Sequence, residues 1–220
     1  MSSTASVAAP VYAYALGDAL YLNLTSACTL ACTFCPKIRD DDWVVGGYDL
    51  RLSRATTADE VWAQVEQAGL ANRPEVVFTG LGEPTRRLPV LLDVASRLRA
   101  AGVGRVRVDT DGLANLREGR DVTPELARAG VSALVVSLNA PDPATYARLC
   151  PNQHGEAAWH AVRDFIRAAL RHIPEVQVSF VGVPGLDEAA CRREAESLGA
   201  VFRWRPYDRV GRLKELGGNA

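Results

Sequence analysis

The run Cys28-Thr29-Leu30-Ala31-Cys32-Thr33-Phe34-Cys35-Pro36 places three thiols within eight residues. Thiolates are soft ligands that suit iron–sulfur clusters and zinc. Three of them this close can cap three irons of a cubane, and the small residues Thr29, Ala31 and Thr33 let the loop wrap it. A [4Fe–4S] cluster normally takes four cysteines, so three leave one iron open to a substrate or cofactor. Zinc is the alternative. A structural zinc site takes four ligands, however, and His154, His160 and His172 all lie far from the cluster in sequence. Cys150 and Cys191 read as small apolar residues outside the cluster. An odd count of five cysteines, three of them clustered, is a poor disulfide framework and suits a reducing, cytoplasmic compartment.

Something must hold that loop open to a ligand, and the chain supplies six repeats of a β-like run followed by a helical pattern. The spacing predicts strands at Leu20–Thr25, Glu75–Thr79, Arg105–Thr110, Ala133–Asn139, Val176–Gly182 and Val201–Arg205. Helices are expected near 57–70, 87–101, 123–129, 155–171 and 187–198. Thr57 and Thr123 are expected N-caps, with Glu60 completing a capping box after Thr57. Strand–helix alternation implies parallel strands with right-handed crossovers. Six units fit an α/β fold, either an open parallel (β/α)6 partial TIM barrel or a doubly wound sheet. The cysteine loop follows the first predicted strand, at the C-terminal mouth where barrels keep their chemistry. One domain over residues 13–207 is expected, with tails at 1–12 and 208–220.

Most predicted strands alternate. Tyr21, Asn23 and Thr25 oppose Leu22 and Leu24; Arg105, Arg107 and Asp109 oppose Val106 and Val108; Arg203 and Arg205 oppose Phe202 and Trp204. Parallel strands rarely face open water, so the polar face is expected to line a wet lumen against which a substrate binds. Arg203 and Arg205 would then present two guanidiniums to a phosphate or carboxylate. A structural pairing with Asp109 is the alternative reading. The segment from Lys37 to Arg54, directly after the cysteines, is read as a solvated loop or as a lid over the site.

Composition narrows the class. The 220 residues carry a formal net charge of −1, with 48% hydrophobic and 23% charged content. That gives no bulk pull toward nucleic acid or membrane. Lys37 and Lys214 are the only lysines, so arginine carries nearly all the positive charge, a bias that source-genome composition explains as well as anion recognition does. No run approaches the ~18 apolar residues of a spanning helix, and the start lacks the basic region of a secretory signal.

The spacing C-x3-C-x2-C, with aromatic Phe34 before the last cysteine, closely resembles the radical S-adenosylmethionine superfamily. The resemblance implies a [4Fe–4S] cluster on Cys28, Cys32 and Cys35, with S-adenosylmethionine chelating the open iron. It also implies reductive cleavage to methionine and a 5′-deoxyadenosyl radical, hydrogen abstraction from a substrate, and a reductase such as flavodoxin or ferredoxin. Gly80-Leu81-Gly82-Glu83-Pro84 resembles the superfamily's glycine-glycine-glutamate motif. Leu81 replaces the first glycine of the pair, so Gly82, Glu83 and Pro84 carry over toward the cofactor's amino group. Ser137-Leu138-Asn139 resembles the stretch that meets the ribose or methionine end. Arg148 is then a candidate for the cofactor carboxylate, and Val183 within Val181–Gly185 for the adenine.

Further runs resemble the TatD nuclease-associated radical S-adenosylmethionine proteins: Leu16-Gly17-Asp18, Gly46-Gly47-Tyr48-Asp49-Leu50, Gly82-Glu83-Pro84-Thr85, Asp111-Gly112-Leu113-Ala114-Asn115, Ser137–Asp142 and Tyr146–Cys150. Where that family's pattern leads one to expect asparagines, Asp109 and Asp111 stand here. The family's name implies a functional link to a TatD-type nuclease. The chain itself lacks a basic footprint for nucleic acid, so a small-molecule substrate is expected. The competing readings are a 7-carboxy-7-deazaguanine synthase-like enzyme, a glycyl-radical-activating enzyme, or an iron–sulfur scaffold or electron carrier without radical chemistry.

Overall fold

The structure, a computed structural model, describes residues 9–207. In chain order the elements are β1 (Ala13–Leu16), β2 (Ala19–Leu22), α1 (Pro36–Arg39), β3 (Val44–Val45), β4 (Tyr48–Asp49), α2 (Ala58–Ala68), β5 (Val76–Phe78), a 3-10 turn (Pro84–Arg87), α3 (Leu88–Ala100), β6 (Val106–Thr110), α4 (Ala114–Glu118), α5 (Thr123–Ala129), β7 (Ala133–Ser137), α6 (Pro143–Leu149), α7 (Ala157–Ala169), β8 (Glu175–Gly182), α8 (Glu188–Ser197) and β9 (Val201–Pro206). Seven strands form one sheet in the order β1-β2-β5-β6-β7-β8-β9. All six expected strands are present and pair in parallel, in chain order. The architecture is that of an α/β partial barrel.

β1 is an addition. It pairs antiparallel with β2 through a tight turn at Gly17, whose φ of 60° is the left-handed conformation that glycine tolerates. Its approach is pinned by side chains. Gln64 Oε1 accepts from the Tyr12 and Ala13 amides at 2.8 and 3.0 Å, and Gln64 Nε2 donates to the Pro10 carbonyl. Tyr12 belongs to the core. Residues 10–12 are therefore docked rather than frayed; residues 1–8 and 208–220 of the two expected tails lie outside the described residues.

The outward face of the sheet is apolar, as alternation requires. Leu20, Leu22, Val76, Phe78, Val106, Val108, Leu134, Val136, Val176, Val178 and Phe180 pack under the helices in one cluster. α2 opens on Thr57, whose side chain accepts from the Glu60 amide while Glu60 accepts from the Thr57 amide, so the capping box forms as read. Thr123 is not an N-cap. It is the first helical residue of α5, and its amide and hydroxyl both donate to Asp121 Oδ1 at 3.0 and 2.7 Å. Asp121 is the better acceptor and sits two residues before the first helical residue.

Asn23 follows β2 on its polar face but is fully buried. Its Nδ2 donates to the Val11 and Leu50 carbonyls at 3.0 and 2.9 Å, tying the N-terminal segment to the end of the β3–β4 hairpin. Replacing Asn23 by Ala leaves two buried carbonyls without donors. Chemical denaturation is expected to show a loss of about 1–3 kcal/mol; an unchanged denaturation midpoint would remove this bridge from the fold's supports.

Candidate active site

The three cysteines lie on the loop between β2 and α1, and that loop is held on two sides. The Ala31 amide donates to the Pro151 carbonyl and the Thr33 amide to the Leu149 carbonyl, both at 2.9 Å, so the segment after α6 runs alongside the loop like a short strand. On the other side the Glu83 amide donates to the Ala27 carbonyl at 2.9 Å. Lys37 Nζ donates to the Ser26 carbonyl, and Ser26 Oγ accepts from the Leu52 amide at 2.7 Å. Cys28, Cys32 and Cys35 all reach one cavity of about 400 Å³. All three thiols are held up in pKa, Cys28 to about 12, by burial first and then by the charge of Asp111; for Cys35 burial is the main cause. For Cys32 the neighbouring Cys150 thiol leads and burial follows.

The turn after β5 forms the adjoining wall. A Cβ on Gly82 would stand 1.9 Å from the Thr25 carbonyl oxygen and 2.9 Å from that of Ala27, both backbone. Glycine is required there by the close approach of two segments of the chain, not by a left-handed φ. Glu83 is 3% exposed, and four donors converge on it. Its Oε1 accepts from the Thr85 amide (3.0 Å), the Thr85 hydroxyl (2.6 Å) and the Thr110 hydroxyl (2.8 Å); its Oε2 accepts from the Asp111 amide at 2.7 Å. Asp111 is 5% exposed, and its Oδ1 accepts from the Leu113 amide at 2.9 Å. Burial, then the charge of Glu83, push its carboxyl up to about 8.

Two buried polar atoms beside the cysteines have no protein partner, Asn139 Oδ1 and the Tyr146 hydroxyl, whereas Thr29 and Asp111 have each other. Such orphans are costly in a closed interior and mark a place where a polar group belongs. Among the described residues no three His, Cys, Asp or Glu side chains converge tightly enough to hold a single metal ion. A cubane does not demand that convergence, since each thiolate binds a separate iron. Three thiols on one cavity, with unpartnered polar atoms behind them, fit a cluster and a polar cofactor.

Of the residues expected around the cofactor, Phe34, Gly82, Glu83, Ser137 and Asn139 line this cavity. Asn139 takes a φ of 57°, tolerated by asparagine. Three others do not line it. Pro84 is buried at the start of the 3-10 turn behind Glu83. Arg148 is exposed in the last turn of α6, on the outer side of the barrel. Val183 follows β8 in a tight turn closed by its amide on the Val181 carbonyl, and Val181 lines the cavity in its place.

Of the expected lumen residues, Tyr21, Arg107, Asp109, Arg203 and Arg205 do line the cavity. Arg105 instead closes the strands' opposite end, paired with Glu75 and Glu175. The inner face is not polar throughout, since Val77, Ala133 and Val135 are buried on it. Sequence reasoning missed Tyr14, Val45, Thr79, Thr110 and Asp111, all of which line the cavity. Val45 arrives on the β3–β4 hairpin, packed on Tyr14 and Leu50, so one residue of the 37–54 segment is part of the cavity wall.

The sequence model of the radical SAM superfamily matches residues 22–198. The chain belongs to that superfamily. It is 29% identical over 192 residues to the "Probable dual-specificity RNA methyltransferase RlmN" of Salinibacter ruber, covering 81% of this chain and 48% of that one. It is also 32% identical over 132 residues to the "GTP 3',8-cyclase" of Mycolicibacterium smegmatis, covering 59% and 33%. The radical SAM chain here thus spans half or less of the length of these curated relatives. In structure it resembles a radical SAM methyltransferase from Sphaerobacter thermophilus (TM-score 0.57, 21% identity, 94% of this chain and 66% of that one). It also resembles SuiB of Streptococcus suis (TM-score 0.60, 14% identity, 85% and 41%). These two likenesses concern the fold. Among the described residues no helix is long and apolar enough to cross a membrane, and the five cysteines are free.

Asp111 supplies a pH test. Its carboxyl is pushed up to about 8 in the folded chain, above the ordinary aspartate range near 4, so the unfolded chain loses its proton first and stability falls as pH rises from about 4 to about 8. Asp111→Asn keeps an acceptor for Leu113 and removes the charge. In the cluster-free chain its urea midpoint is expected to exceed the wild type's at pH 8, with the gap closing toward pH 4; a gap independent of pH would show that Asp111 carries no raised pKa. Gly82→Ala, through its clash with the Thr25 carbonyl, is expected to lower iron and sulfide per chain several-fold after anaerobic reconstitution. Wild-type loading of that variant would mean that the turn and the cysteine loop move independently.

Proposed function

We propose that this radical SAM enzyme carries one [4Fe–4S] cluster on Cys28, Cys32 and Cys35 and binds S-adenosylmethionine in the same cavity. A small substrate would sit deeper in the lumen. The observation that carries the reading is the convergence of three thiols from one loop with the Gly82–Glu83 turn on a single cavity. When bound, the cluster would supply the electron that cleaves S-adenosylmethionine to methionine and a hydrogen-abstracting 5′-deoxyadenosyl radical. The chain's own residues bind, orient and enclose. Gly82 lets the β5 turn lie flat against the cysteine loop. Glu83 faces the cavity with a carboxylate suited to the cofactor's ammonium group, and Ser137 and Asn139 offer polar atoms across from it. Phe34 and Val181 supply apolar surface for the adenosyl end.

The Asp111–Asn115 and Tyr146–Cys150 runs support a finer placement beside the TatD nuclease-associated proteins. The names of the curated relatives point to RNA and to GTP, whereas the balanced charge of this chain favours a small molecule over a polynucleotide. A flavodoxin- or ferredoxin-type reductant and a cytoplasmic setting follow from the same reading, since the cluster needs an electron and free thiols.

Anaerobically reconstituted protein, reduced with dithionite, is expected to show a cluster resonance that shifts on adding S-adenosylmethionine, with slow release of 5′-deoxyadenosine. Cys32→Ala is expected to lose both. A cluster blind to the cofactor, with no cleavage, would instead indicate a scaffold or electron carrier.

A further inference from the structure

β9 is the far edge strand of the sheet, and its alternation is fixed by packing. Phe202 stands 5.6 Å from Phe180, ring to ring, and Trp204 stacks on Phe202 at 6.1 Å. Phe202 and Trp204 pack against the core, and strand alternation sets Arg203 and Arg205 on the opposite face; both arginines line the cavity, whose wall Trp204 also reaches. The register sets Arg203 beside Ser179 and Arg205 beside Val181.

The charges around them do not close. Glu175 pairs with Arg105, and Glu75 bridges Arg105 at 2.6 Å and Arg107 at 3.2 Å. Asp109 Oδ1 lies 2.9 Å from Arg107 Nε. No ion pair or hydrogen bond from the described residues reaches Arg203 or Arg205, and the nearby carboxylate, Asp109, is already held by Arg107. Along these strands four guanidiniums meet three carboxylates, and each of the three carboxylates is paired with Arg105 or Arg107, which leaves both β9 guanidiniums without a partner at bonding distance. Arg205 is pulled below its ordinary pKa by burial, with Arg203 and Arg107 adding like-charge repulsion against the attraction of Asp109. In place of the alternative pairing of these arginines with Asp109, the structure holds an Arg107–Asp109 pair on a single strand.

Arginine keeps its charge even in such surroundings, and two partly buried guanidiniums without an acceptor are costly unless an anion joins them. We infer that Arg203 and Arg205 form a subsite for an oxyanion of the substrate, a phosphate or a carboxylate, held at the β9 side of the lumen. The inference deepens the radical SAM reading by naming the substrate's chemical class. Inside the cavity the negative wall at Glu83 and the positive wall on β9 would then sort the ammonium-bearing cofactor from the anionic substrate.

The test uses reconstituted holoenzyme with S-adenosylmethionine present, titrated calorimetrically with inorganic phosphate and, separately, with succinate. Saturable binding of at least one anion is expected, and whichever binds identifies the source of the charge. Arg205→Gln and Arg203→Gln should each weaken it about tenfold or more, as loss of a charged hydrogen-bonding partner does. Arg97→Gln, on α3 and paired with Asp59 and Asp93, should not. Affinity for S-adenosylmethionine should stay unchanged in both β9 variants. Without anion, Arg205→Gln should melt no lower than wild type, because it removes a repelled charge; the anion should raise the wild-type melting temperature more than the variant's. Binding of neither anion, equal binding to wild type and Arg205→Gln, or a fall in cofactor affinity in the β9 variants would each overturn the subsite. The last would assign the arginines to the cofactor's own carboxylate. A cluster that ignores S-adenosylmethionine while the anion still binds would overturn the radical reading and leave the anion subsite standing.

Discussion

The Glu83 carboxylate, buried and held by four donors, is the contact on which the rest of the site depends. It takes the Thr85 amide and hydroxyl at the start of the 3-10 turn, the Thr110 hydroxyl at the end of β6 and the Asp111 amide just beyond. Its own amide holds Ala27, one residue before Cys28. Three separate chain segments thus meet on one residue, at the C-terminal edge of neighbouring strands β5 and β6. Charge-assisted hydrogen bonds are about twice as strong as neutral ones, and here they are spent on aligning strand ends with the cysteine loop. The glycine just before Glu83 permits this, because any side chain there would displace the loop backbone.

The second constraint comes from sheet geometry. Each strand must bury one apolar face under the helices, which leaves the other face to the lumen. The lower lumen is filled by Val77 and Ala133 and sealed by the Arg105–Glu75–Glu175 pairs, while Val135 reaches the open cavity above them. Only the upper part is open, and the cysteines, the glutamate wall and the β9 arginines all face it. A polar strand face therefore serves two purposes along its length, an ion-paired floor and a ligand-lined mouth. That division follows from height along the strand, which alternation alone does not encode.

The fold was legible because its signals are periodic and local. Six alternating strands, a capping box at Thr57 and a cysteine loop after the first strand all follow from residue spacing, and each recurs in the structure. What was missed depends on partners far away in sequence. Gly17-Asp18 between two apolar runs is a hairpin signal, yet β1 becomes a strand through β2 and Gln64, the latter some fifty positions on. Arg148 looked suited to a carboxylate because of its neighbours in the chain, but the helical phase of α6 turns Tyr146 and Leu149 inward and leaves it outside. Asp111 was noted as an unexpected acid, whereas its burial against Glu83 needed the fold to become visible. The same holds for Cys150, read as a plain apolar residue. The bonds from residues 31 and 33 to 151 and 149 bring it opposite Cys32, and Asn139 Nδ2 approaches its sulfur at 3.7 Å.

Asp109 and Asp111 are two residues apart and sit among opposite charges. Burial raises the Asp109 carboxyl too, but Arg107 at ion-pair distance, with Arg205 and Arg203 beyond it, works against that rise. Asp111 has Glu83 as its nearest charged neighbour and Arg117 only as a weaker opposing influence, so its own charge is resisted. Between them runs the boundary of the two halves of the site. On the Asp111 side the charge present is that of Glu83, and on the Asp109 side it is that of Arg107, Arg203 and Arg205. One cavity can hold two different ligands in fixed order only if its walls differ in this way. In this chain the end of β6 is where the sign changes.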